Sequence, residues 1–142
     1  MKRLADPRPA ARLALLALAA CGTLAVAALA GPPARAQTGP GADEIARYSG
    51  LHAAAHRGDL PALGKLIAAG ANLNGRDGHG RTPLHVATFA RHPAAIRALA
   101  RAGANPSALD NDRYDAVTIA AVADDGEPLR ALLAEGASAS LI

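Results

Sequence analysis

The stretch Asp77-Gly78-His79-Gly80-Arg81-Thr82-Pro83-Leu84-His85-Val86-Ala87 decides how the rest of the chain is read, because parts of it return at a fixed distance. Leu84-His85 has its counterpart in Leu51-His52, and Ala87 in Ala54 and Ala120. Gly70-Ala71, Gly103-Ala104 and Gly136-Ala137 keep the same interval of 33 residues without a gap, as do Leu66, Leu99 and Leu132. Chance repetition in an alanine-rich chain would not preserve leucines, glycines and histidines together. The period therefore divides the chain into units at residues 44–76, 77–109 and 110–142.

With these residues in view, the chain resembles the ankyrin repeat family. Residues 77–87 are close to the family motif, and Gly103-Ala104-Asn105 matches its usual close. The first unit contributes Leu51-His52-Ala53-Ala54-Ala55-His56-Arg57-Gly58-Asp59-Leu60 and ends in Gly70-Ala71-Asn72-Leu73-Asn74. The resemblance covers residues 44–142. It implies an all-α fold, a solenoid of helix-turn-helix units joined by hairpin-like loops. The third unit departs most: Asp115-Ala116-Val117-Thr118 stands in place of Thr-Pro-Leu-His, and Arg113 replaces the turn glycine. A terminal repeat has an outer face that meets water, so this unit reads as a degenerate cap.

Composition agrees. Of 142 residues, 39 are alanine, and the aromatics are Tyr48, Phe89 and Tyr114 alone, which disfavours an all-β fold. Alanine and leucine at this density favour closely packed helices, and ten prolines with 14 glycines keep them short. First helices are expected near residues 50–57, 83–90 and 116–123. Gly58 can end the first of them in the left-handed conformation, and Asp59 can cap the next helix. Pro61, Pro93 and Pro128 fall in the first turns of the second helices, where a missing N–H costs little. Those helices are expected to bury Leu63, Leu66 and Ile67, then Ile96 and Leu99, then Leu129, Leu132 and Leu133. Ala100 stands where its neighbours have Ile67 and Leu133, and a lost branched side chain forgoes about 2 kcal/mol of burial, so stability should be modest.

Residues 1–36 differ from the rest. They carry Lys2, Arg3, Arg8, Arg12 and Arg35 against Asp6, a balance of +4, whereas residues 37–142 balance at −1. The net charge of +3 therefore belongs to the leader, and the repeats offer no basic field for nucleic acid. A basic start, the uncharged stretch 13–30 and Ala34-Arg35-Ala36 together read as a secretory signal peptide cleaved before Gln37. Two alternatives share these residues: a retained membrane anchor, or lipidation at Cys21 in a Leu-Ala-Ala-Cys sequence similar to a bacterial lipobox. Each takes the protein out of the cytoplasm, to the periplasm or beyond. Residues 37–43 then read as a flexible linker.

Chemistry is sparse. No nucleophile motif is present, and cleavage after Ala36 would leave no cysteine in the mature chain. His52 and His85 occupy equivalent positions, and the resemblance implies that they tie neighbouring turns by hydrogen bonds. His52 and His56 lie four residues apart and could share a metal only with a third ligand such as His79, His92 or a carboxylate. Asp110-x-Asp112 and Asp124-Asp125-x-Glu127 lack a full calcium-loop pattern and read more simply as turn and cap residues. Gly75-x-x-Gly78-x-Gly80 has neither the preceding strand nor the lysine of a phosphate loop. The expected protein is thus a non-enzymatic, cofactor-free monomer that binds a protein partner, with a small metal-binding or enzymatic protein using His52 and His56 as the alternative. Aligning the units places Tyr48, Arg81 and Tyr114 at one loop-proximal position and His56, Phe89 and Val122 at another. The resemblance implies that both positions face the groove, with Arg57 beside His56 and the loop residues His79, Asn111 and Asp112 completing the expected contact set. All three aromatics then fall on one exposed surface, as interface hot spots often do.

Overall fold

A computed structural model describes residues 37–138. Among them run seven helices and no strand: α1 (Ala42–Arg47), α2 (Gly50–Arg57), α3 (Leu60–Ala68), α4 (Pro83–Phe89), α5 (Pro93–Arg101), α6 (Ala116–Val122) and α7 (Gly126–Ala134). The pairs α2–α3, α4–α5 and α6–α7 are each joined by two or three residues and are one unit of the repeat. First helices α2, α4 and α6 stack in order as one layer, and α3, α5 and α7 stack as the other. The leader, with the expected cleavage site and Cys21, lies outside the described residues. Among those described, no helix is long and apolar enough to cross a membrane.

The period is written into the backbone as well as the side chains. Each first helix ends with a bond from the residue after a left-handed position: Asp59 N–H to Ala54 O (3.0 Å), His92 N–H to Ala87 O (3.1 Å) and Asp125 N–H to Ala120 O (3.2 Å). Only the first of these positions is a glycine. Gly58 has φ 65°, and a Cβ there would stand 2.8 Å from the His92 ring, so both conformation and space require it. Arg91 (φ 60°) and Asp124 (φ 51°) take the same conformation with side chains attached. Asp59 caps α3 as expected, accepting the Ala62 N–H at 3.0 Å.

The core runs between the two layers. Leu63, Leu84, Ile96, Leu99, Ile119 and Leu132 are fully buried, and Ala54, Ala87 and Ala120 let the first helices approach. The expected burial needs correction at four residues, of which Leu66 and Leu129 are half-buried against the core. Leu133 is 52% exposed, because α7 is the last described helix and only α5 and α6 pack against it. Ile67 is only half-buried, so the position shared by Ile67, Ala100 and Leu133 is peripheral in every repeat. The alanine in the middle repeat therefore costs less than a core truncation would.

The start of the first unit also differs from the expectation. Where the second repeat has its glycine-rich turn, the first has a short helix, α1, whose Gly41 N–H donates to the Glu44 carboxylate at 2.8 Å. Residues 37–43, expected as a flexible linker, make specific contacts with the second repeat.

Candidate partner-binding face

The loops that carry the expected contact residues are built by aspartate. Asp77 Oδ1 accepts the N–H groups of His79 (2.9 Å) and Arg81 (2.8 Å), while its own N–H donates to Arg81 O (3.0 Å). One repeat later Asp110 does the same with Asp112 (3.0 Å) and Tyr114 (2.9 Å). Gly80 turns the first loop at φ 73° and Arg113 the second at φ 67°. These aspartates are turn closers, which accounts for the Asp110-x-Asp112 pattern without a metal.

Each loop is then tied to the helix before it. His52 Nε2 lies 3.0 Å from Arg81 O, and His85 Nε2 lies 3.0 Å from Tyr114 O, the same bond at the same interval. In the buried case the proton can be placed. Thr82 donates its N–H to His85 Nδ1 at 3.1 Å, so the neutral ring carries its hydrogen on Nε2 and donates it to the carbonyl. Burial pushes the His85 pKa below its usual value, against the pull of the Tyr114 carbonyl. Among the described residues no group of three histidine, cysteine, aspartate or glutamate side chains could hold a metal.

Five of the expected contact residues meet in one network at the joint between the first and second repeats. Tyr48 is half-buried and donates its hydroxyl to Asp77 Oδ2 at 2.8 Å. Burial, followed by that bond to a carboxylate, pushes the phenol pKa up to about 12. Burial disfavours the Asp77 carboxylate, yet the Arg81 N–H and the Tyr48 hydroxyl hold its pKa below the ordinary value. The His56 ring lies 6.4 Å from that of Tyr48, and His79, largely exposed, pairs with Glu44. Phe89, half-buried, has the Arg81 guanidinium 5.6 Å from its ring centre.

Arg81 itself is a correction. It was expected on an exposed groove face, but it is only 5% exposed. Its Nη1 reaches Glu44 Oε2 (3.2 Å) and lies 3.8 Å from Asp77 Oδ2, and its Nη2 donates to Thr38 O (3.3 Å). The Gly41 N–H, together with the hydrogen bond and charge of Arg81, holds the Glu44 pKa below its ordinary value. Repeat alignment could not have shown this, since the covering residues lie before the first repeat motif. Glu44, Thr38 and Gly39 are the participants that the sequence reading missed; the Gly41-x-x-Glu44 spacing was the available signal for a helix start there.

The other expected residues lie outside this network, although Arg57 lines a surface pocket with Tyr48 and His56. Arg57 is exposed and donates Nε to Ala53 O of its own helix at 3.3 Å. Asn111 is exposed, and its backbone N–H bonds His79 O of the preceding loop at 3.0 Å. Asp112 is exposed and Tyr114 is half-buried. Val122, at the repeat position of His56 and Phe89, is 61% exposed.

Comparison with known proteins fits this architecture. The model of the family described as ankyrin repeats (three copies) matches residues 51–141, and the chain belongs to that family. It is similar to the crystal structure of the human ASB11 ankyrin repeat domain, with 33% sequence identity and a TM-score of 0.60. That match covers 67% of this chain and 43% of the solved one, so the chain spans less than half of the domain it resembles. No curated protein matches it. Ankyrin repeats are in general modules for protein–protein interaction, and the fold is typically non-enzymatic.

Proposed function

We propose that the chain is an exported, non-catalytic binding module that works in a bacterial periplasm and takes a protein partner on the face carrying Phe89, Tyr114 and Val122. The observation that carries this reading is the contrast along one repeat position: Phe89 is covered by the chain's own residues, while Val122 presents 61% of its surface to solvent. An exposed branched side chain beside exposed Ala121 and Ala123 is the kind of apolar patch that partners cover. Val122→Asp is expected to leave the melting temperature nearly unchanged, as surface substitutions do, while crosslinked capture of the partner from the native envelope falls about tenfold. Undiminished capture by the variant would remove Val122 from the interface.

Export is supported by the order of basic, apolar and Ala-x-Ala segments in the leader. Mass spectrometry of the product from an exporting host should then find Gln37 at the N-terminus. A lipidated Cys21 would point to the anchored form, and an intact Met1 on a cytoplasmic product would sink export altogether.

A further inference from the structure

The residues ahead of the first repeat lie across its joint with the second in a way that resembles a bound ligand. Thr38 gives its carbonyl to Arg81 Nη2. Gly39 rests on Phe89 so closely that a Cβ on it would stand 3.3 Å from the ring's Cδ1. Gly41 is extended, with φ −74° and ψ 164°, and Glu44 then delivers its two carboxylate oxygens to Arg81 and His79. The seat thus reads three features of a chain: a main-chain carbonyl, a residue without a side chain over an aromatic ring, and a carboxylate a few residues on. What occupies it is weakly held otherwise, since α1 contributes no buried residue to the core.

We propose that Arg81, Phe89 and His79 form a binding seat for an extended, glycine-containing acidic segment of a partner protein, and that residues 38–44 fill this seat as a displaceable stand-in. The proposal rests on the protein-binding reading above and gives the partner its chemistry. The requirement for acid follows from Arg81. With the strap gone the guanidinium would lose its bonds to Thr38 O and the Glu44 carboxylate and keep only the Phe89 ring, the Tyr48 side chain and Asp77, 3.8 Å away, so two charge-assisted hydrogen bonds are forfeited. Opening alone is therefore disfavoured, whereas exchange for another carbonyl and carboxylate restores every contact. The preference for glycine follows from Phe89, since any Cβ where Gly39 lies would stand 3.3 Å from the ring, closer than ordinary contact, and the ring would have to shift. The segment is joined to its seat by a short tether, which gives an effective concentration on the order of millimolar. A strap that stays closed must then bind in trans with a Kd of about 1 mM or tighter.

The test uses the chain as isolated from its exporting host and a synthetic peptide of residues 38–44, Thr-Gly-Pro-Gly-Ala-Asp-Glu. The strap is opened by Gly39→Val together with Glu44→Gln, and binding is followed by NMR at the Phe89 ring and the Arg81 guanidinium. The opened variant is expected to bind the peptide in the millimolar range or better, the unaltered chain at least about tenfold more weakly. A peptide ending in glutamine should fail. Equal binding by both chains, no binding to an opened variant that melts like the parent, or equal binding of the glutamine peptide would each overturn the proposal. If the double variant does not fold, Glu44→Gln alone carries the same readout, its change lying on a helix with no buried residue. Because the peptide reports on the seat directly, its failure leaves the Val122 capture experiment standing, and the reverse also holds.

Discussion

A chain that stops at Leu109 is expected to melt without a cooperative transition. The missing unit supplies Val117, Ile119 and Leu132, all buried, along with Ala116, Ala120 and Ala131. Fully burying a side chain of this size is worth about 2 kcal/mol, so three of them together match the low end of a whole domain's stability, roughly 5 kcal/mol. Their loss also uncovers the sides of α4 and α5 on which α6 and α7 pack, and takes away Tyr114, whose carbonyl satisfies His85. Two repeats are too few to enclose a continuous core. Circular dichroism during heating should show a broad, shallow loss of helix in the shortened chain against a sigmoidal loss in the parent. A sharp transition at a similar temperature would mean that the first two repeats and the strap suffice by themselves.

His85→Ala should be the most damaging single change at a polar residue, at about 3 kcal/mol, with His52→Ala costing nearer 1 kcal/mol. Both imidazoles make the same bond to the loop ahead, so any difference must come from their surroundings. His85 is 1% exposed and also accepts the Thr82 N–H and lies 2.8 Å from the Thr82 hydroxyl, so its removal strands buried groups on both sides. His52 is only half-buried, so its removal strands less. Denaturant titration of the two variants side by side decides the matter, and equal losses would show that burial is not the source. The same burial gives a pH signature. The folded pKa of His85 lies below the unfolded value of about 6.5, so the unfolded chain takes up the proton first as acid is added. This contribution is complete above about pH 6.5 and fades as the pH falls. Glu44 and Asp77, whose pKa values are also lowered, lose their contributions only below the ordinary carboxylate range. Between pH 7 and 5.5 the parent should therefore lose melting temperature faster than His85→Gln does.

How much of this was legible beforehand depended on whether a feature repeats. The paired helices follow from the 33-residue period, Gly58 and the Asp59 cap from residue type within it, and the histidine bonds from the resemblance to the family. Arg91, Arg113 and Asp124 show the limit of reading residue types alone: each adopts the left-handed φ of the glycine at its repeat position, Gly58 or Gly80, without being glycine. Position 81 shows a second limit. Alignment treats Tyr48, Arg81 and Tyr114 as equivalent, but Arg81 alone has an incoming carbonyl and carboxylate, 43 and 37 residues distant, from a segment outside the period. The exposed groove face read from three aligned positions is therefore open at one end and already filled near the other.

The histidine bonds also give the stack a direction. The rings of His52 and His85 each have their acceptor carbonyl in the next unit, whereas His92 Nε2 reaches back to His56 O at 3.0 Å, so the first joint is tied in both directions and the second in one. At the third unit the same position holds Thr118, and the series of imidazoles stops. Unravelling from the two ends is consequently unlike. Peeling away the last unit deprives the buried His85 ring of its acceptor, whereas peeling away the first withdraws His52, Tyr48 and Glu44 and takes His56 O from His92. The molecule is in this sense polar along its length, a zip whose teeth differ in kind from one end to the other.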